Sequence, residues 1–128
     1  MPQIRVSQAS ELLQVSDDTI RRWIEQGKLS SRKDSSGRLT VDGAQVAALM
    51  ADGAASADPP APTSARNRFV GIITRVEKDG VMALVEIQAG PHRVTSLMSR
   101  EAAEELGLEP GVTAAAVVKA TNVIVESA

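Results

Sequence analysis

Residues 64–76 read Ser64-Ala65-Arg66-Asn67-Arg68-Phe69-Val70-Gly71-Ile72-Ile73-Thr74-Arg75-Val76. Two small polar residues and an arginine stand at the mouth of an apolar run. That run, Phe69 to Val76, is rich in the β-branched and aromatic types that fit a pleated surface. Asp79-Gly80 after Lys78 signals a hairpin, and Val81 to Ile87 follows as a second strand with Ala83, Val85 and Ile87 on one face. Ala89-Gly90-Pro91 turns the chain into a third strand, His92 to Met98. Arg100 to Leu106 reads as a short helix ending at Gly107, and Glu109-Pro110-Gly111 as another turn. Val112 to Lys119 and Val123 to Glu126 are the last strands. Five strands with a helix between the third and fourth describe a small OB-like β-barrel over residues 63–128.

Just upstream, residues 51–63 read ADGAASADPPAPT, with three prolines and no large apolar side chain. Such a stretch cannot bury enough surface to fold, so residues 51–62 read as a flexible Ala/Pro linker. The 128 residues therefore divide into an N-terminal domain, 1–50, and the barrel, 63–128, an α+β two-domain chain. Each half has a small core, so self-association is an expected supplement. The chain has no cysteine and one histidine, His92. That leaves no thiolate site, almost nothing for zinc and no nucleophile–base pair. A non-enzymatic protein without cofactor or free metal ion is expected. His92 reads as a surface strand residue, and Met82 and Met98 as barrel core. No apolar run approaches a membrane span, and the opening MPQIRVSQAS lacks the apolar core of a signal peptide. A cytoplasmic protein without membrane contact is the expectation.

In the N-terminal domain, Ala9, Leu12 and Leu13 lie at helical spacing behind Ser7, a candidate N-cap. Ser16 is a second N-cap candidate. Asp17 and Asp18 follow in the first helical turn, where the macrodipole favours acids. Ile20, Trp23 and Ile24 form the apolar stripe of this second helix, and Gly27 is a natural terminator. Two short helices joined by a tight turn make a helix-turn-helix. Lys28 to Thr40, turning at Asp34-Ser35-Ser36-Gly37, reads as a hairpin with bases on both arms, and Asp42 can cap a third helix, Gly43 to Met50. Residues 1–50 hold seven basic and six acidic residues, so clustering rather than net charge must carry any nucleic-acid argument. A helix followed by a basic hairpin fits a winged module, with the helix in the major groove and the wing along the backbone.

The stretches VSQASELLQVSDDTIRRWIEQGKL and GRLTVDGAQVAAL resemble the small winged helix-turn-helix domains of the MerR-like and excisionase-like families. The resemblance covers about residues 4–50. It implies that Thr19, Arg21 and Arg22 face double-stranded DNA and that Arg32, Lys33 and Arg38 contact phosphate. Trp23 reads as core rather than as a base-stacking residue.

The barrel carries seven bases against eight acids over residues 64–128, and one aromatic, Phe69. That disfavours the stacking of single-stranded nucleic acid that many OB barrels perform. Its polar residues suit a tetrahedral oxyanion instead. Ser99 can cap the helix from Arg100 to Leu106, leaving the N–H groups of Glu101 and Ala102 without helical partners. An anion there gains donors and the helix dipole. Arg66 and Lys119 supply cations, and the Ser64 hydroxyl is a directional donor.

The segments TSARNRFVGIITRVEKDGVMALVEI, SREAAEELGLEPG and VTAAAVVKATNVIV resemble the molbindin (Mop) domain, the molybdate- or tungstate-binding barrel of the TOBE group, over residues 63–126. The resemblance implies an oxyanion held by Ser64 and Arg66 of the SARN motif, by Ser99, and by the pair Lys119 and Ala120. Ala102 stands where the family has a first-turn serine, which removes a hydroxyl and keeps a backbone N–H. Sites shared between subunits of a dimer or hexameric ring are implied as well. The two resemblances together lead to a molybdate- or tungstate-responsive DNA-binding transcriptional regulator. Two alternatives stay open: a molybdate storage or buffering protein whose head does not bind DNA, and an excisionase-like DNA-architecture factor.

Overall fold

The structure is a computed structural model that describes residues 2–53 and 62–128. The chain divides into two compact units, Met1–Pro60 and Ala61–Ala128. Most of the expected linker, residues 54–61, lies outside the described residues.

In the first unit, strand β1 (Gln3–Arg5) leads directly into helix α1 (Val6–Leu13), and helix α2 (Asp17–Glu25) follows. Strands β2 (Ser31–Lys33) and β3 (Leu39–Asp42) form the hairpin, and helix α3 (Gly43–Gly53) closes the unit. The α2 start behaves as its sequence requires, since the Thr19 N–H donates to Ser16 Oγ at 3.1 Å. Its end is a Schellman turn. Gly27 sits at φ 79, its N–H donates to Ile24 O, and the Lys28 N–H donates to Trp23 O. Asp42 caps α3 by accepting from the Ala44 N–H at 2.9 Å.

Four features of this unit differ from the sequence reading. Ser7 is not the N-cap of α1; Arg5 is, with no side-chain cap bond. Leu12 is 47% exposed and Val6 is buried beside Ala9, because Val6, Ala9 and Leu13, at i, i+3 and i+7, form the stripe that meets the core and Leu12 lies off it. α3 runs three residues past Met50 into the expected linker, helped by Ala51, the strongest helix former, and on through Asp52 to Gly53. Strand β1 was not anticipated. It is three residues long and has no alternation of its own, and it exists because β3 offers a free edge in the register Arg5↔Thr40. Val6, Ala9, Ile20, Leu29, Val41 and Val46 form the core, with Trp23 packed against it.

The second unit is an antiparallel sheet. Strands β4 (Asn67–Lys78), β5 (Met82–Ala89) and β6 (His92–Ser99) are followed by helix α4 (Arg100–Glu105), strand β7 (Thr113–Val118) and a 3-10 turn, Ala120–Asn122. The strand order is β6-β5-β4-β7. β4 is long enough to serve two partners. Its first half pairs with β7 from Asn67↔Val118 to Ile72↔Thr113, and its second half pairs with β5 from Ile72↔Gln88 to Lys78↔Ala83. The exchange happens beside Gly71, where a Cβ would lie 2.2 Å from Gln88 O. Only glycine fits there, and the register shifts just beyond it, between Ile73 and Arg75. The sheet curls around Ile73, Val85 and Ile87, and Ala83, Val85 and Ile87 share the buried face as their alternation requires.

The unit is thus a curled antiparallel sheet with four hydrogen-bonded strands. The expected fifth strand, Val123 to Glu126, has no ladder partner. Its backbone starts extended, at φ −85 and ψ 124 for Val123, but Ile124 and Val125 stand 94% and 87% exposed. A β-rich segment makes a strand only when it pairs with a neighbour, and after the 3-10 turn Ala120–Asn122 this segment pairs with none among the described residues. A cavity of about 450 Å³ opens between β6 and β7, lined by Val94, Met98, Leu108, Ala114 and Ala116 among others.

Candidate functional site

The sequence-derived oxyanion residues fall into two groups. Ser64, Arg66, Lys119 and Ala120 gather at one end of β4. The pair Asn67↔Val118 is the last rung there, and the Asn67 side-chain amide donates to Val118 O at 3.1 Å. That bond fastens the strand carrying Ser64 and Arg66 to the one that delivers Lys119 and Ala120. Thr63 Oγ1 accepts from the Ala65 N–H at 3.2 Å, and the Arg66 guanidinium donates to Thr63 O at 3.3 Å. These bonds shape the entry to β4 as a tight turn with Ser64 at its exposed crest. Ser64, Arg66, Lys119 and Ala120 are all exposed. Asn67 belongs to the motif in sequence, but its role as the fastener shows only through its partner 51 positions away.

Ser99 and Ala102 lie elsewhere. Ser99 pairs with Met82, which neighbours Ala83, the partner of Lys78, so this group sits at the far end of β4. Twelve residues of strand span about 40 Å when straight, and curling shortens that. Helix α4 packs on β5 and β6. The cleft beside it, about 380 Å³, is lined by Gly80, Val81, Ser99, Arg100, Glu101 and Glu104 and by none of the first group. The structure therefore joins Ser64 and Arg66 with Lys119 and Ala120, and Ser99 with Ala102, and does not join the two groups within one chain.

At α4 the donors differ from expectation in one respect. The Ala102 N–H is not free: it donates to Ser99 Oγ at 3.0 Å, because a serine N-cap normally satisfies this N–H. The Arg100 N–H donates to Val81 O at 2.8 Å. The Ser99 hydroxyl uses its oxygen on Ala102 and keeps its proton for an outside acceptor. A Schellman turn closes the helix, with Gly107 at φ 65 and bonds to Glu104 O and Ala103 O.

The turn that holds Ser99 in place is organised by charge. Asp79 Oδ1 accepts from the Met82 N–H at 2.7 Å and the Val81 N–H at 2.8 Å. Those bonds, with the nearby Arg100 guanidinium, hold the carboxyl below its ordinary range. Arg100 donates to Glu104 Oε1 at 2.9 Å and to Asp79 O at 3.2 Å. The bond from Arg100, followed by its charge, lowers the Glu104 carboxyl in turn. In the sequence Asp79 reads only as a turn residue and Arg100 only as the first residue of a helix.

In the first unit Arg21, Arg22, Arg32, Lys33 and Arg38 are exposed, and Thr19 is half-buried. Thr19 Oγ1 is bonded to Ser16 Oγ at 2.9 Å. Lys33 pairs with Leu39 across the hairpin and Arg32 with Thr40. Asp34 Oδ1 accepts from the Ser36 and Arg38 N–H groups, at 2.9 and 3.0 Å, and so fixes the turn that presents Arg38. Lys28 Nζ lies 5.8 Å from the Trp23 ring centroid, with Trp23 packed against the core. Among the described residues no helix is long and apolar enough to cross a membrane, and no group of three or more His, Cys, Asp or Glu is placed to hold a metal ion.

Each of the two units has a match among known protein families. Residues 63–125 match the TOBE domain model, and residues 4–54 match a helix-turn-helix domain model. Over 63 residues the chain is 40% identical to molybdenum-pterin-binding protein 2 of Clostridium pasteurianum, covering 48% of this chain and 93% of that protein. It is 43% identical over 63 residues to a probable molybdenum-pterin-binding protein of Haemophilus influenzae, covering 48% of this chain and 91% of that one. Among solved structures, a molybdate-binding protein from Sporomusa ovata superposes with a TM-score of 0.51 at 25% identity, covering 52% of this chain and all of that one. Its C-terminal half makes this chain a member of the TOBE-domain family of molybdenum-pterin-binding proteins, a molbindin domain fused here to an N-terminal helix-turn-helix domain.

Proposed function

We propose that the protein is a molybdate- or tungstate-responsive DNA-binding regulator whose anion sites are completed between copies of the chain. The observation that carries this reading is the split site. Ser64, Arg66, Lys119 and Ala120 stand at one end of β4 and Ser99 with Ala102 at the other. An anion that uses both groups bridges two copies. One copy supplies Arg66 and Lys119 as cations and the Ser64 hydroxyl as donor, and its neighbour supplies the Ser99 proton, with Ala102 lining the contact. Exposed apolar side chains support association through this unit: Leu97 on β6, Val117 on β7, and Ile124 and Val125 beyond it. β6 and β7 also end the sheet as open edges. The helix-turn-helix unit supports DNA as the second partner, with Thr19, Arg21 and Arg22 on the recognition helix α2 and Arg32, Lys33 and Arg38 on the wing.

Calorimetric titration with molybdate, tungstate and sulfate tests the anion reading. Molybdate or tungstate binds and sulfate binds much more weakly; the absence of binding by all three overturns it. Storage without DNA binding is a second reading, favoured by relatives that match the C-terminal half alone over 93% of their own length. Wild-type protein that binds molybdate and no DNA would establish that reading instead.

A further inference from the structure

Helix α1 begins in an unusual way. Its N-cap is Arg5, at φ −72 and ψ 153, with no side-chain cap bond and no acid in the first turn. A helix start carries unsatisfied N–H groups and positive partial charge, so a cation there is unfavourable unless an anion is nearby. Helix α2 shows the ordinary solution, a serine cap with Asp17 and Asp18 behind it.

The second observation is independent of the helix. A cleft of about 300 Å³ beside this start is lined by three guanidinium-bearing residues, Arg5, Arg21 and Arg38, together with Ser7 and one carboxylate residue, Asp17. The three arginines come from the β1–α1 junction, from α2 and from the β2–β3 turn. The ladder pair Arg5↔Thr40 brings the first within two residues of the third. Among the described residues the ion pairs involve only Arg75, Glu77, Glu86, Arg100 and Glu104, so none of these three arginines has a carboxylate partner. Three cations against one acid, grouped without partners, repel one another, and a bound anion relieves that cost.

We propose that this cleft grips a backbone phosphate of duplex DNA through Arg5, Arg21 and Arg38, with the α1 start and the Ser7 hydroxyl as further donors. The proposal rests on the DNA-binding reading and deepens it. It adds Arg5 as a contact and assigns Arg21 to the backbone rather than to a base edge. A polymer is favoured over a free phosphate because the same unit carries further exposed bases outside the cleft, Arg22, Arg32 and Lys33, which one small anion in the cleft would leave unused.

The test uses the full chain, a fluorescein-labelled mixed-sequence duplex of about 24 base pairs, and anisotropy from about 50 to about 200 mM salt. Arg5→Thr removes the cation and supplies a hydroxyl cap, so its melting temperature stays level or rises. Arg5→Gln keeps side-chain bulk without charge. Both variants are expected to bind the duplex about fivefold or more weakly at low salt, with the slope of log K against log salt reduced by about 0.9, one phosphate contact. An Arg5 with no part in DNA binding predicts duplex affinity and salt slope unchanged in both variants, whatever their melting temperatures. If the wild type binds the duplex and Arg22→Ala weakens it, while both Arg5 variants keep the wild-type slope, the phosphate grip falls and the DNA reading stands. If the wild type binds no duplex, both fall. If inorganic phosphate raises the melting temperature of the wild type but not of Arg5→Thr, while their duplex affinities agree, the ligand is a free anion and the proposal is overturned.

Discussion

Ser99 Oγ accepts from the Ala102 N–H, so the hydroxyl proton is its one remaining donor. In the proposed site Lys119, exposed at the opposite end of β4, supplies the complementary charge. Lys119→Ala is expected to weaken molybdate binding at least about tenfold, the scale of one charge-assisted hydrogen bond at roughly 1.5–3 kcal/mol. Titration calorimetry reads this directly, and a wild-type affinity would mean that the site lies elsewhere. Ala102→Ser, which supplies a hydroxyl beside the same cap, is expected to tighten binding. Asp79 gives a pH-dependent prediction. Its carboxyl is held low by the Met82 and Val81 N–H groups. Its contribution is therefore fully present above the unfolded carboxylate value of about 4 and is lost as pH falls through the lower folded value. Denaturation profiles of wild type and Asp79→Asn should differ at pH 7 and converge below about pH 4. A gap that stays constant with pH would show that the charge has no part in holding the turn.

β4 is the element on which the second unit depends, and Gly71 is its joint. A Cβ at Gly71 would meet Gln88 O at 2.2 Å and Ile87 Cγ2 at 2.9 Å. Neither the β5 backbone nor the buried core residue Ile87 can yield cheaply. Gly71→Ala is expected to cost roughly 1–3 kcal/mol, the range for overfilling a packed contact, and to loosen the β4–β5 ladder before the β4–β7 ladder. Chemical denaturation measures the loss, and hydrogen exchange shows which ladder opens. A variant as stable as wild type would mean that the strands part there at no cost. The same element separates the two groups of candidate anion residues, and that separation is why the proposed site calls for a neighbouring copy.

At the scale of the whole molecule, two ligands are proposed on one chain, and linkage makes their effects reciprocal. Molybdate at about 1,000 times its dissociation constant should add about 4 kcal/mol of stability, and sulfate much less. An unmoved melting curve would contradict the sensor reading. A single small head makes few base contacts, so useful DNA affinity calls for two heads on half-sites about 34 Å apart or a multiple of that. Ser64 follows the Ala/Pro stretch directly in the chain, so an anion held there acts where that stretch meets the sheet. Molybdate is expected to change operator affinity by about 5–150-fold, and operator DNA to change molybdate affinity by the same factor. Anisotropy at fixed salt with and without molybdate measures this, and equal affinities would separate the two activities.

What the sequence by itself determined is what acts over a few residues. Ser16, Asp42 and Ser99 start their helices and Gly27 and Gly107 end theirs, because caps and left-handed turns involve groups within about four positions. The alternation of Ala83, Val85 and Ile87 declared its buried face for the same reason. The polar residues of the candidate anion site were readable as residue types in order along the chain. Tertiary structure decided whatever depends on an available edge or a distant partner. β1 forms only because β3 has a free side, and that strand puts Arg5 at a helix start and beside Arg38. Val123 to Glu126 has strand composition and pairs with no edge among the described residues. The candidate anion residues divide into two groups because β4 exchanges partners at Gly71 and carries them to opposite ends. Hydrogen-bond ladders are satisfied by whichever edge lies alongside, and that neighbour is set by the packing of the whole unit rather than by the segment itself.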